Sequence, residues 1–162
     1  MGTGMGTEIE RKFLVTDMPW HDQAPSMLLW QGYLSTVPDR TVRVRLHGDA
    51  ATLTIKGRTH GATRAEYEYP LPIEDAREML GTLCVQPTIE KTRYHVRHEG
   101  HTWDVDVFHG VNDGLVVAEV ELSSEDEVFA RPDWLGAEVT DDSAYYNSNL
   151  IAAPFSTWKR QP

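Results

Sequence analysis

The feature that most constrains the fold of this chain is an alternation of apolar and polar residues with a period of two, which recurs along most of its length. Alternation of this period places successive side chains on opposite faces of a β-strand. The links between the alternating segments are short and turn-like, as at residues 47–50 and 98–101, so we expect antiparallel neighbours. The pattern predicts about eight strands, at residues 8–15, 28–35, 40–47, 51–56, 64–71, 88–98, 101–109 and 115–122.

Helices are predicted at only three places. Pro72 precedes a segment, 73–84, in which apolar residues recur at helical spacing on one stripe. Residues 123–130 begin with serines that can cap a helix and continue with acidic residues suited to its first turn. Residues 141–153 are predicted to form a C-terminal helix that ends before Pro154. The predicted fold class is therefore mainly β, with a few flanking helices.

Length, charge and cysteine content exclude several classes of protein. The chain has 162 residues, and we expect residues 1–7 to be a disordered extension and residues 8–162 to form a single domain. A formal net charge of −10 argues against a nucleic-acid partner, which requires a basic surface. The single cysteine, Cys84, precludes an internal disulfide, and no apolar run approaches the ~20 residues of a membrane span. We therefore expect a cytoplasmic protein that does not act at a membrane.

The polar face of these strands is almost purely ionic and is sorted by sign, strand by strand. Like charges recur two residues apart, which is about 7 Å along a strand. Neighbouring like charges repel, so a series of this kind is unusual for a merely solvated face. The cations are Lys12, Arg43, Arg45, Lys56, Lys91 and Arg93, and the carboxylates are Glu8, Glu10, Glu66, Glu68, Asp104, Asp106, Glu119 and Glu121.

Alternation alone leaves open which face is inside. In a conventional sandwich Val44 and Val105 would lie in the core, and the charged side chains would be exposed to solvent. In a closed barrel about eight strands wide, the charged face would line the lumen and the apolar face would need a cover. Such a lumen must be hydrated or hold ions, because an unpaired buried charge costs several kcal/mol. Its sorted charges suit a divalent metal on the carboxylates and a polyanion on the cations.

The order of the charged motifs resembles the CYTH superfamily, also called the triphosphate tunnel metalloenzymes. The segment EIERKF, residues 8–13, matches the family signature ExExK. The resemblance covers nearly the whole chain and is closest to the small bacterial single-domain members, many of which hydrolyse inorganic tripolyphosphate. The further matching segments, in family order, are QGYL, RVR, TIKG, RAEYEY, EKTRY, WDVDVF, GLVVAEVEL, WLGAEVT and YYNSNL.

The resemblance implies a closed eight-stranded antiparallel β-barrel that forms a charged tunnel, with a C-terminal helix that plugs or flanks one mouth. It also implies Mg²⁺ or Mn²⁺ as the cofactor. In the family the two glutamates of ExExK and the last glutamate pair hold the metal, which here are Glu8, Glu10, Glu119 and Glu121. Further acidic positions that hold a second metal or balance the cations match Glu66, Glu68, Asp104 and Asp106.

The same resemblance assigns the basic residues to substrate binding. Three of the matched residues, Lys12, Tyr33 and Lys91, are the catalytic candidates, and Tyr33 would support a phosphate or a leaving oxygen. The residues that would grip the triphosphate are Lys12, Arg43, Arg45, Lys56, Lys91 and Arg93.

The predicted function is metal-dependent cleavage of the terminal phosphate of inorganic tripolyphosphate. Two alternatives stay open: an enzyme acting on an organic triphosphate, such as an adenylate cyclase, a thiamine triphosphatase or a nucleoside triphosphatase, and a non-catalytic barrel that binds polyphosphate or a nucleotide. A full set of metal carboxylates argues against the second alternative, because anion binding needs only the cations. Tyr67, Tyr69 and Tyr94 share the outer face, where they could form a homodimer contact.

Overall fold

The computed structural model describes residues 6–159. Most of the predicted N-terminal extension, residues 1–5, therefore lies outside the described residues. The helices are α1, Ile73–Thr82, and a single turn, α2, Asn149–Ala152. The strands are β1 (Thr7–Val15), β2 (Ser26–Ser35), β3 (Arg40–His47), β4 (Ala50–Gly57), β5 (Thr63–Pro70), β6 (Val85–His98), β7 (His101–Phe108), β8 (Val116–Glu121) and β9 (Leu135–Glu138).

The strands form one closed antiparallel barrel. Neighbours follow the order β5-β4-β3-β2-β6-β7-β8-β1, and β5 pairs with β1 to close the sheet. The predicted eight-stranded barrel is thus confirmed, with boundaries that differ from the prediction by a few residues. A ninth strand, β9, was not predicted; it is short and pairs with β1 outside the closed ring. Closure turns the charge-bearing faces of β1, β3, β4, β5, β6, β7 and β8 toward a common axis.

The apolar face of the barrel is covered from outside by loops and one helix. Ala76 and Leu80 of α1 pack in a cluster with Val44 of β3. On the other side, Trp134, from a loop, packs against both Trp103 of β7 and Trp20. Burial of these large aromatic and aliphatic side chains is the main stabilising contribution on the outer face. The barrel interpretation of the alternation is therefore correct, and the sandwich interpretation is wrong.

One end of the barrel interior is apolar rather than charged. Ile89, Phe108 and Val117 continue the inner faces of β6, β7 and β8 beyond the charged residues. They are buried in one cluster with side chains of the C-terminal segment, including Leu150 and Phe155. The C-terminal segment thus fills this end of the barrel, in agreement with the predicted plug.

The helix predicted at residues 123–130 does not form. Ser123 N donates to the Glu127 carboxylate, and Ser124 Oγ donates to Asp126 Oδ1. The serine and acidic side chains that would have capped a helix instead satisfy a compact turn, a competition common for these residue types. Helices are short throughout: none among residues 6–159 has both the length and the apolar character needed to cross a bilayer.

A close approach at Gly32 supplies a stability prediction. A Cβ on Gly32 would lie 2.9 Å from Cys84 Cβ and 3.0 Å from both Cys84 Sγ and Thr88 Cγ2. We expect Gly32→Ala to lower the free energy of unfolding by about 1–3 kcal/mol, because the buried strand has no room for the added methyl. The matched control is Gly81→Ala in α1, whose Cβ would meet nothing within 4 Å. Urea denaturation should find this control neutral or stabilised by up to about 1 kcal/mol, and equal losses in both variants would contradict the packing argument.

Candidate active site

The ionic side chains converge on one cavity along the barrel axis. The space that water can occupy there is about 70 Å³, room for several waters around crowded charged groups. At Thr41, Arg64, Tyr146 and Ser148 the cavity meets a second, roomier pocket of about 320 Å³. The predicted site residues that line the cavity are Glu8, Glu10, Lys12, Tyr33, Arg43, Arg45, Lys56, Glu66, Glu68, Lys91, Arg93, Asp104, Glu119 and Glu121.

Pairing of β1 with β8 builds a carboxylate cluster on one wall. In this register Glu10 lies opposite Glu121, and Lys12 lies opposite Glu119. Glu10, Glu119 and Glu121 all line the cavity, and Lys12 Nζ lies 3.6 Å from Glu119 Oε1. Burial raises the pKa of Glu10 well above its usual range, and the adjacent Glu119 and Glu8 raise it further. Negative charge is therefore concentrated at this part of the wall.

Glu8 sits in a second charged group between β1, β4 and β5. Lys56 Nζ donates to both of its oxygens, at 2.8 and 3.1 Å, and lies 3.5 Å from Glu66 Oε2. Arg64 Nε lies 3.3 Å from Glu8 Oε1. Burial alone would raise the pKa of Glu8, but the Lys56 and Arg64 charges outweigh burial and lower it. Glu8 is therefore ionised and held in place by its two cations.

The donor set fits a hard divalent ion such as Mg²⁺. Among residues 6–159 no three His, Cys, Asp or Glu side chains converge as a preformed metal centre. Mg²⁺ does not require one, because it is commonly held by one or two carboxylates, with waters and substrate phosphate oxygens completing its shell. A bound cation would relieve the carboxylate repulsion that, together with burial, raises the pKa of Glu10. Glu10 and Glu119 therefore offer neighbouring carboxylates that could hold such an ion.

The opposite part of the wall, on β3, presents positive charge that is only partly neutralised, since Arg43 Nη2 lies 3.8 Å from Glu68 Oε2. Arg43 Nε is buried and has no hydrogen-bond partner, although Arg43 Nη2 donates to Thr54 Oγ1 at 3.0 Å. Burial, followed by the neighbouring Arg43 and Arg93, lowers the pKa of Arg45 to about 9. A guanidinium whose charge is disfavoured by its surroundings would be stabilised by an anion. Arginine forks suit the paired oxygens of phosphate groups.

Asp106 differs from the other predicted carboxylates because it does not line the cavity. The Asp106 side chain is 1% exposed. Arg93 Nε donates to Asp106 Oδ1 at 2.8 Å, and Lys91 Nζ lies 2.7 Å from Asp106 Oδ2. Burial would raise the pKa of Asp106, yet Arg93 and Lys91 hold it at about 2. Its oxygens are already used, so the structure places Asp106 behind the cavity wall, as the counter-ion of two cations. Asp104, two residues earlier, is the more exposed member of the pair and does reach the cavity.

The three catalytic candidates lie around the same space. Tyr33 is buried and lines the cavity beside Lys12 and Lys91. Burial lowers the pKa of Lys91 to about 7, because the positive charges of Arg93 and Arg45 add to the desolvation and the carboxylates of Asp106 and Glu119 offset it only in part. Lys12 keeps a raised pKa, since the Glu119 and Glu10 charges overcome its burial. The two lysines thus occupy different electrostatic surroundings.

The structure adds cavity residues that the sequence analysis did not select. Arg64 and Thr41 carried a usable signal: Arg64 is two residues before Glu66, and Thr41 is two before Arg43, so alternation places both on inner faces. The other additions come from the C-terminal segment, where no alternation exists and only the fold brings them to the cavity. These are Tyr146, Asn147 and Ser148.

Comparison with known proteins shows which family and which proteins this chain resembles. The family model described as CYTH domain matches residues 6–150. The chain is 48% identical over 155 residues to an inorganic triphosphatase of Acetivibrio thermocellus, covering 96% of this chain and 99% of that protein. It is 39% identical over 148 residues to an inorganic triphosphatase of Nitrosomonas europaea, covering 89% and 96%. A crystal structure of an inorganic triphosphatase superposes with a TM-score of 0.65 at 36% identity, covering 89% of this chain and 93% of that one.

Proposed function

The chain belongs to the CYTH domain family, and from this membership we propose that it is a metal-dependent inorganic triphosphatase that releases the terminal phosphate of tripolyphosphate inside the barrel. The observation that best supports this proposal is that one cavity holds both a positively charged region suited to anions, around Arg43 and Arg45, and a carboxylate cluster, around Glu10 and Glu119. Two relatives named inorganic triphosphatase, alike over nearly their full length, support the same conclusion.

The basic wall would bind and orient the substrate. A tripolyphosphate carries several negative charges close together, which cations of a narrow, partly desolvated cavity bind strongly. Arginine can make two-point contacts to adjacent oxygens, whereas lysine supplies compact charge. The residues proposed for this role are Lys12, Arg43, Arg45, Lys56, Arg64, Lys91 and Arg93.

The carboxylate wall would hold the metal. We propose Glu10 and Glu119 as its principal ligands, with Glu8 and Glu121 beside them, and Mg²⁺ or Mn²⁺ as the ion. When bound, the ion would neutralise phosphate charge and lower the pKa of an attacking water. Glu66, Glu68 and Asp104 would balance the cations around it, and Asp106 is not proposed as a ligand because Lys91 and Arg93 already occupy its oxygens.

Hydrolysis requires positioning and charge stabilisation more than covalent catalysis by the protein. Lys12 and Lys91 would stabilise the charge that develops on the phosphate oxygens as the terminal P–O bond breaks. Tyr33 would donate a hydrogen bond from its hydroxyl to a phosphate or leaving oxygen. The narrowness of the cavity would exclude bulk water, which strengthens these electrostatic interactions.

An organic triphosphate is the second candidate substrate. The observation that favours it is the second, roomier pocket of about 320 Å³, which shares Thr41, Arg64, Tyr146 and Ser148 with the cavity and has room for an organic group. No stacking pair of aromatic side chains faces that pocket among the described residues; Tyr146 is the one aromatic side chain on its wall. Inorganic tripolyphosphate therefore remains the preferred substrate.

We also propose how the protein exists in the cell. It would be cytoplasmic, since its only cysteine, Cys84, is a buried free thiol. A net charge of −10 supports action without nucleic acid, and we propose no membrane partner. Residues 8–162 would act as one domain. Tyr67 and Tyr69 are 50% and 53% exposed on the outside of β5, which leaves them available for a homodimer contact.

A substrate panel tests the proposed function. Purified protein is incubated with tripolyphosphate, ATP or thiamine triphosphate, each with Mg²⁺, Mn²⁺ or EDTA, and phosphate, pyrophosphate and cyclic AMP are measured. We expect phosphate from tripolyphosphate with a divalent metal and none above background in EDTA. Pyrophosphate with cyclic AMP would instead identify a cyclase, and binding of tripolyphosphate without turnover of any substrate would identify a non-catalytic barrel.

A further inference from the structure

Asn147, in the C-terminal segment, lies at the centre of a hydrogen-bonded chain that joins the basic residues of the cavity. Lys91 Nζ donates to Asn147 Oδ1 at 2.7 Å, and Gln31 Nε2 donates to the same oxygen at 2.9 Å. The other end of Gln31 continues the chain, because its Oε1 accepts from Arg45 Nε at 2.9 Å. One carboxamide oxygen therefore connects Lys91 directly, and Arg45 through Gln31, to a segment more than fifty residues away in sequence.

These contacts occupy buried positions where water cannot easily replace them. Gln31 is 0% exposed and Lys91 is 1% exposed. The Lys91 ammonium faces Asp106 and Asn147, and its Nζ lies 5.3 Å from the centroid of the Phe108 ring. Lys91 also lines the cavity, where a ligand would meet it. An amide oxygen can orient this ammonium without adding negative charge beside it. A carboxylate at the same place would orient it equally well but would compete with a phosphate for its charge.

The backbone around Asn147 shows how the side chain reaches the cavity. Of the predicted helix over residues 141–153, only the last part forms, as the single turn α2. A 3₁₀ turn at Ser143–Tyr145 precedes it, and Tyr146 between the two is extended, with φ −68° and ψ 132°. Asp142 accepts from Ala144 N, which favours the turn over a longer helix. The interruption turns Asn147 toward Gln31 and Lys91. Lys12 Nζ donates to Tyr145 O at 3.3 Å, so a third cavity cation also contacts this segment.

We propose that Asn147 is a positioning residue for the triphosphate. Its amide oxygen fixes the position of the Lys91 ammonium directly and that of the Arg45 guanidinium through Gln31, so that docking of the C-terminal segment completes the phosphate-binding wall. This inference rests on the proposed function, since it assigns these cations to phosphate. In this role Asn147 would differ from residues that only anchor the C-terminal segment. It also gives the break in the C-terminal helix a role in binding.

Asn112 is a matched control for simple anchoring. It is a buried asparagine whose Oδ1 accepts from Phe155 N at 2.9 Å, so it too holds the C-terminal segment by its amide oxygen. It does not line the cavity. If Asn147 only fastened this segment, Asn147→Ala and Asn112→Ala should impair the protein in the same way.

The experiment measures tripolyphosphate binding in EDTA by calorimetry, and kcat and KM for tripolyphosphate with Mg²⁺, for the full chain and its variants. We expect Asn147→Ala to weaken binding in EDTA by about tenfold, the effect of losing one charge-assisted hydrogen bond at a cation. Asn147→Asp keeps the shape and should weaken binding more, because its carboxylate pairs with Lys91. Asn112→Ala should stay within about twofold of the parent protein in binding, whatever it does to the Tm.

The energetic coupling between Asn147 and Lys91 gives a further measurement, which a purely structural role of Asn147 would leave unchanged. In a Lys91→Ala background, Asn147→Ala should change binding by less than about threefold, since only the path through Gln31 and Arg45 remains. Equal losses in Asn147→Ala and Asn112→Ala, or wild-type binding by Asn147→Asp, would overturn the inference. Failure of the proposed function would look different: the parent protein would bind tripolyphosphate but release no phosphate with any divalent metal.

Discussion

Replacing Glu119 with alanine is expected to lower the rate of phosphate release from tripolyphosphate by at least about a hundredfold, even at saturating Mg²⁺. Glu119 is one of the carboxylates that line the cavity on the wall formed by β1 and β8, and it also lies 3.6 Å from Lys12. Its loss removes negative charge from the proposed metal site and leaves Lys12 without its nearest carboxylate. The affinity for Mn²⁺, measured by calorimetry, should fall together with turnover, because both depend on the carboxylate oxygens of Glu119.

The matched control for this prediction is Glu138→Ala. Glu138 is an exposed carboxylate of β9, held by Arg11 on the outside of the barrel. Its pKa is lowered by that hydrogen bond, yet it has no contact with the cavity. Turnover of this variant should stay within about twofold of the parent protein, since an exposed ion pair contributes little. Near-parental rates in Glu119→Ala would remove Glu119 from the proposed metal site.

Replacing Asp106 with alanine is expected to destabilise the folded protein by about 3–5 kcal/mol, the usual consequence of removing one partner from a buried ion pair. Asp106 neutralises both Lys91 and Arg93, and each of the three side chains is buried. Without it, two cations would remain desolvated beside Arg45. Chemical denaturation of the variant should show the loss as a lower midpoint with an unchanged slope.

Asp104→Ala tests whether burial is the cause. Asp104 occupies the same face of β7, but its side chain is 26% exposed, and it lies 3.6 Å from Arg93 and 2.9 Å from His95. We expect this variant to lose about 1 kcal/mol or less, because water can solvate what it leaves behind. Asp106→Asn, which keeps the shape and removes the charge, should fall between the two. Similar losses for Asp104→Ala and Asp106→Ala would show that Asp106 is not a buried counter-ion.

Much of the site could be predicted because a strand repeats every two residues. The alternation in β1, β3, β6 and β8 is enough to place Glu8, Glu10 and Lys12, or Lys91 and Arg93, on a common face. The same rule applied strictly would also have found Arg64 and Thr41. Chain order then supported the family, which the comparisons confirm.

The C-terminal region shows where local rules stop. Residues 123–130 and 141–153 have helical composition, yet side chain to backbone hydrogen bonds of Glu127 and Asp142 favour turns. β9 is only four residues long and is stabilised by pairing with β1, which lies far away in sequence. Asn147 could be quoted as part of a motif but not assigned a role, because its partners come from β2 and β6.

The sequence by itself determined which side chains share a face, since that follows from strand periodicity and needs no distant contact. Only the tertiary structure decided that this face points inward, because closure of β5 onto β1 is a long-range pairing. The same closure separated Asp106, sealed against Lys91 and Arg93, from Asp104 at the cavity surface. It also brought Asn147 to Lys91, since burial and charge pairing depend on all the neighbours in space and not on position along one strand.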